Sequence, residues 1–204
     1  MNLAELVARG HTALVTQECQ NGVIGEQAVF PELAAAARGM IGNVARLAKA
    51  ARASGVPVVH CLALRRVDGL GSSNNARIFG AARKSGVVLS PGSEAAAVVA
   101  EIGVDDTDIV LTRYHGLGPM GGTDLDAVLR SLGVTTVVGV GVSVNVGMTN
   151  FTMDAVNAGY QFVLPRDAVA GIPREYADAV IDNTLTLLAT IVSTDDVIAA
   201  WEAA

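Results

Sequence analysis

Groups able to do chemistry collect at three points of this 204-residue chain, each directly downstream of a β-branched, apolar run. Glu18, flanked by Gln17 and Gln20, follows residues 12–16 (TALVT). Arg113, Tyr114 and His115 follow residues 108–112 (DIVLT). Ser143, Asn145, Val146 and Gly147 follow residues 135–142 (TTVVGVGV). A carboxylate can carry a proton to or from a reacting atom. An arginine stays charged and can clamp a carboxylate with two parallel hydrogen bonds. Backbone N–H groups at the start of a helix, here those of Val146 and Gly147, suit an anion or an oxyanion.

Several familiar patterns fail on inspection. Gly116, Gly118 and Gly121 give GxGxxG spacing between a strand and a helix, but Pro119 removes a backbone donor from the loop. The strand that follows also ends without the acidic residue that would hold a ribose, so a tight glycine turn explains the loop better. The segment Gly141-Val-Ser143-Val-Asn145 falls one residue short of a nucleophile elbow, and no histidine lies downstream of Ser143 to complete a triad. His11, His60 and His115 show neither HxH nor HExxH spacing, so neither a metal nor another cofactor is expected. Cys19 and Cys61 have no CxxC spacing and sit in apolar runs, where buried reduced thiols are expected.

The elements that must hold these groups are legible from period. Short apolar runs at residues 12–16, 56–62, 108–112, 135–142, 161–164 and 189–193 alternate with helical patterns at 31–54, 121–132, 145–158, 174–188 and 195–203. Thr123 is placed to cap the second of these helices, and Ser143 or Asn145 the third. Residues 65–89 read as a surface excursion with one short helix, and a helical patch is expected after Pro91 and Gly92. Alternation of this kind, with near-continuous apolar strands, predicts a three-layer αβα domain around a six-stranded parallel sheet, Rossmann-like in outline and spanning residues 1–204. In such sheets ligands bind beyond the carboxyl ends of the strands, where the three clusters fall.

Composition narrows the partners. Hydrophobic residues make up 51% and charged residues 17%, which suits a large buried core. Fourteen Lys and Arg against 20 Asp and Glu leave a net charge of −6, with no basic stripe and only 4% aromatics, so nucleic acid is a poor partner. No run approaches the roughly 18 apolar residues of a membrane span, and the N-terminal residues lack the pattern of a signal peptide. A cytoplasmic protein with a small-molecule ligand is expected. The cluster Arg65, Arg66, Arg77, Arg83 and Lys84 reads by default as a solvated surface, with an acidic ligand as the sharper alternative.

The stretch GVGVSVNVGMTNFTMDAVNAGYQFVLPRDAVAG resembles the signature of isochorismatase-like hydrolases, the cysteine hydrolase superfamily. TALVTQECQNG is similar to the family's first strand ending in Asp-Met-Gln. VLTRYHGLGPMGGTDLDAVLRSLGV is similar to its Lys-containing third strand and the following helix start, and SPGSEAAAVVAEI to the segment before that strand. The resemblance implies the isochorismatase fold, a homo-oligomer, a cis peptide at Val142-Ser143, and an Asp-Lys-Cys triad that cleaves amides and related bonds. Carried onto this chain, the triad positions hold Glu18, Arg113 and Gly147, so the thiol route is closed. Cys19 neighbours Glu18 but projects from the other face of its strand.

Isochorismatases proper also carry glycine in place of the cysteine, and their aspartate protonates a vinyl ether carbon. Two readings follow. One is a hydrolase of a small carboxylated molecule, with Glu18 as acid/base, Arg113 as clamp, and Tyr114, His115, Ser143, Asn145 and Val146 as substrate contacts. The other is a family member without catalysis, serving as a binder or structural subunit, with Glu18 and Arg113 a buried ion pair. Gly147 itself is read either as a catalytic adaptation or as glycine because a bulky neighbour takes the thiol's room.

Overall fold

The computed structural model describes residues 2–203. Seven strands run in chain order: β1 (Thr12–Gln17), β2 (Val58–Ala63), β3 (Ile109–Arg113), β4 (Thr136–Val142), β5 (Gln161–Pro165), β6 (Val169–Ala170) and β7 (Thr190–Val192). All paired strands are parallel, in the order β3-β2-β1-β4-β5-β7, with the two-residue β6 attached to β4 beyond β5. The six expected strands are therefore present, and β6 is an addition too short to show in a hydropathy pattern.

Among the described residues eight α-helices flank the sheet: α1 (Leu3–Leu6), α2 (Asn21–Ile24), α3 (Pro31–Ser54), α4 (Arg77–Lys84), α5 (Leu125–Ser131), α6 (Thr149–Asn157), α7 (Arg174–Asn183) and α8 (Thr194–Glu202). The apolar stripe of α3, including Met40, Val44 and Leu47, packs with Trp201 of α8 on Leu14, Val138 and Val140 of the sheet. On the opposite face Leu125, Leu129, Phe151 and Ile181, from α5, α6 and α7, pack on Ala13, Val15, Val137 and Phe162. Successive strand residues thus feed opposite cores, which is why β1 and β4 are buried along their whole length and β4 is apolar apart from Thr136. No helix of the described residues is long and apolar enough to cross a membrane.

Helix ends depart from expectation where side chains were asked to cap. Residues 121–124 form turns, and α5 starts only at Leu125, whose N–H reaches Thr123 Oγ1 at 3.1 Å. After Pro91 and Gly92 there is a single tight turn, Glu94–Ala96, capped by Ser93. The helix expected over 145–158 opens as a wide turn, Val144–Met148, in which Met148 N–H reaches back five residues to Ser143 O at 2.9 Å. Neither Ser143 nor Asn145 caps through its side chain there. Wide turns of this kind recur at functional sites.

Candidate active site

Strand order reverses between β1 and β4, and the crevice beyond their carboxyl ends is where such sheets bind ligands. The two strands approach closely there. Gly141 takes φ 117°, and a Cβ on it would run into the carbonyl of Gln17, so only glycine serves. One residue on, Glu18 lies at φ 55°, the left-handed region that costs a non-glycine residue about 1 kcal/mol or more. Its neighbours hold it there. Glu18 N–H donates to Cys61 O at 2.9 Å, and the Gln20 amide donates to Ala63 O and Ala96 O at 2.9 and 3.0 Å while accepting from Ala63 N–H at 2.8 Å. Gln20 is a structural tie; Glu18 is thereby aimed over the crevice.

Arg113, at the end of β3, reaches across β2 and pairs through Nη2 with Glu18 Oε1. Its side chain is 5% exposed, and both Nε and Nη1 are buried without an acceptor. Glu18 is 21% exposed, with only Oε1 engaged by the arginine. Buried donors with no partner are rare and costly in proteins, about 1–3 kcal/mol each. Arg113 itself is one of the residues that line a cavity.

Gly147 lies in the wide turn after β4. A Cβ built on it would overlap Gln17 Nε2 and stand 3.1 Å from Val142 O. The bulky neighbour considered from the sequence is therefore Gln17, which is fully buried, donates weakly to Leu117 O at 3.3 Å, and leaves Oε1 unpartnered. Of the two amides expected to face an anion, Val146 N–H is bent back onto Ser143 O at 3.2 Å. That leaves Gly147 N–H as the one not taken by this oxygen.

A cavity of about 550 Å³ brings together Glu18, Arg113, Ser143, Asn145, Val146 and Gly147. Its remaining wall is mainly apolar and includes Phe30, Leu33, Phe79 and Ile172, residues that no motif or spacing singles out. Arg77 also lines it, so this member of the basic cluster is not simply solvated surface. Tyr114 and His115 do not line this cavity. They lie on an adjoining recess of about 310 Å³ with Arg65 and Arg83, because the chain turns outward after Arg113. A larger cleft of about 870 Å³ beside α3 and α7 does not touch Glu18, and Arg166 in its wall is paired with Asp178 and Asp182.

With this geometry in place, the decisive likeness is that of the isochorismatase domain, whose family model matches residues 12–196. The chain belongs to the isochorismatase family. A ureidoacrylate amidohydrolase from Agrobacterium fabrum is 32% identical over 174 residues, covering 77% of this chain and 75% of that protein. An uncharacterised isochorismatase family protein of Bacillus subtilis is 36% identical over 86 residues, so the match spans about half of that relative's length, 45%. The solved structure of an isochorismatase family protein from Burkholderia thailandensis superposes with a TM-score of 0.77 at 27% identity, covering 95% of this chain and 96% of that one.

Membership of the isochorismatase family makes the two cysteines worth placing. Cys19 is buried, and burial together with the neighbouring Glu18 charge pushes its thiol up to about 12. Burial pushes Cys61 up to about 12 as well, against a small opposing pull from Arg113. Neither lines the cavity of Glu18, and thiols so shifted are not nucleophiles at neutral pH. The cis peptide that the isochorismatase resemblance implies is present at Val142-Ser143.

Proposed function

We propose that this isochorismatase-family chain hydrolyses a small carboxylated molecule without a cysteine nucleophile, through acid/base chemistry at Glu18. One observation carries the reading: Glu18, Arg113 and Gly147, from the ends of three separate strands, border one open cavity, while the Gln17 amide fills the room a thiol at position 147 would need. Water then has to be the nucleophile. Glu18 takes a proton from it as oxygen adds to the substrate carbon, and returns that proton to the leaving nitrogen or oxygen as the bond breaks. Gly147 N–H is the donor for the oxyanion, and the unspent donors of Arg113 hold the substrate carboxylate. On a vinyl ether the same residue acts first as the acid, and water follows.

A second reading, a binder without catalysis, is favoured by the Arg113–Glu18 pair, which already engages one carboxylate oxygen. Turnover of isochorismate and a panel of carbamoyl and amide acids separates the two. Glu18→Gln is expected to lower kcat by about 10²–10⁴, the usual worth of a positioned acid/base group. Turnover indifferent to that change would remove Glu18 from the reaction.

A further inference from the structure

The helix α4 carries an apolar face that the rest of the protein covers only in part. Ile78, Phe79, Ala81 and Ala82 of this helix line the cavity that holds Glu18, and no residue of α4 is buried. An amphipathic helix ordinarily presses such a face into a core. Here Ile78, Phe79 and Ala82 are half-buried, and what is left of the face borders a cavity that Phe30, Leu33, Leu89 and Ile172 also line. At about 550 Å³ the cavity lies within the roughly 300–1,000 Å³ of sites that enclose drug-sized ligands, far more than a carboxylate head alone requires.

The charges on the wall are as few as the apolar groups are many. Arg113 and Arg77 stand against the single carboxylate of Glu18, in a chain whose net charge is −6. Arg77 has no acidic partner among the described residues. Arg113, nine-tenths buried and more, keeps two nitrogens, Nε and Nη1, without acceptors. A local excess of positive charge with unspent donors selects an anion, and the surrounding wall selects carbon.

From this we infer that the ligand is an organic carboxylate with a bulky aliphatic or aromatic body, its charge on Arg113 and its body against the open face of α4. The inference rests on the cavity assigned above to hydrolysis and specifies what enters it. Small polar acids leave the α4 face wet, and a neutral ligand of equal size leaves the arginine donors unmet. Filling the space instead removes apolar surface of both partners from water.

Calorimetric titration of the full chain tests this without requiring turnover. The probes are acetate, butanoate, hexanoate, phenylacetate, phenylacetamide and succinate. Affinity is expected to rise about fourfold per added methylene from acetate to hexanoate, which is the transfer free energy of a buried CH₂. Phenylacetate is expected to bind at least about tenfold tighter than phenylacetamide, as for a charge-assisted hydrogen bond. Phe79→Ser, on a half-exposed helix, is expected to weaken hexanoate and phenylacetate while leaving acetate unchanged. Affinity flat along the series, succinate outranking hexanoate, or no saturable binding by hexanoate and phenylacetate overturns the inference. Glu18→Gln keeps its failure distinct from that of the hydrolytic reading. An intact series beside turnover that ignores Glu18→Gln removes only the catalytic role. A flat series beside Glu18-dependent turnover removes only the ligand class.

Discussion

The two ends of β3 each carry a buried arginine–carboxylate pair, and they are built to opposite specifications. Just before the strand, Asp108 is 1% exposed and holds Arg52 at 2.6 and 3.1 Å through two nitrogens. It also accepts from Asp105 N–H at 2.8 Å and bonds His60 Nε2 at 3.1 Å, while His60 Nδ1 meets Thr16 Oγ1 at 2.9 Å. No buried side-chain polar atom of Thr16, His60, Arg52 or Asp108 lacks a partner. At the far end Arg113 meets Glu18 through one nitrogen, keeps two buried donors unmet, borders a cavity, and leans on a residue with left-handed backbone. Satisfied networks of the first kind stabilise a fold. Unsatisfied ones of the second kind persist where something else must bind.

That contrast can be broken deliberately. The largest effect is expected at the closed pair: Asp108→Ala strands half-buried Arg52 and fully buried His60 and should cost about 3 kcal/mol in urea unfolding. Arg113→Met at the open pair should shift the same measurement by about 1 kcal/mol or less, since Glu18 can turn to water, yet abolish carboxylate binding.

Next comes the steric link between Gln17 and Gly147. Gly147→Ala is expected to cost about 1–3 kcal/mol through overpacking. In a Gln17→Ala background much of that cost should vanish, a coupling that a double-mutant cycle of unfolding free energies reads directly. The same cycle implies that a thiol restored at position 147 needs Gln17 shortened as well.

Acid should weaken the closed network in a predictable direction. Burial lowers the pKa of His60 below its ordinary 6.5, against the opposing pull of Asp108, so the fold prefers the neutral ring. Burial pushes the Asp108 carboxyl up, but the hydrogen bonds from Arg52, Asp105 N–H and His60 outweigh it and hold it below the usual range. A depressed pKa contributes stability that is complete above the unfolded value and is lost as pH falls towards the folded one. Between about pH 7 and 5 the His60 contribution should decline by at most about 1.4 kcal/mol per pH unit, the limit for one proton. His60→Gln should flatten that slope.

The smallest effect has the most telling sign. In an Arg113→Met background, where no buried guanidinium is left without its carboxylate, Glu18→Gly relieves the left-handed backbone and is expected to raise stability by about 0.5–1 kcal/mol. A loss of stability there would mean that Glu18 helps to hold the fold rather than being strained by it.

The strands and the long helix α3 were legible because an apolar run buried on both faces, and a stripe of period 3.6 between Pro31 and Gly55, leave few alternatives. The catalytic candidates were legible because a parallel sheet fixes which residues end its strands. What stayed hidden was lateral. Nothing in TALVTQ says that Gln17 fills the space beside residue 147, since that contact joins segments 130 residues apart. Nor does Arg65–Lys84 disclose that α4 roofs the cavity, because its half-exposed residues carry the pattern of a surface helix. Tyr114 and His115 looked as placed as Arg113 by position along the strand, but the glycine-rich loop carries them to the neighbouring recess.

The central claim is that hydrolysis here runs through Glu18 and no thiol. Its most direct test compares kcat/KM of the wild type, the cysteine-free Cys19→Ala/Cys61→Ala double variant and Glu18→Gln on one carboxylated substrate panel. The account predicts turnover within a few fold of wild type without cysteines and a loss of about 10²-fold or more in Glu18→Gln. Turnover that vanishes with the cysteines and survives at Glu18→Gln would contradict it.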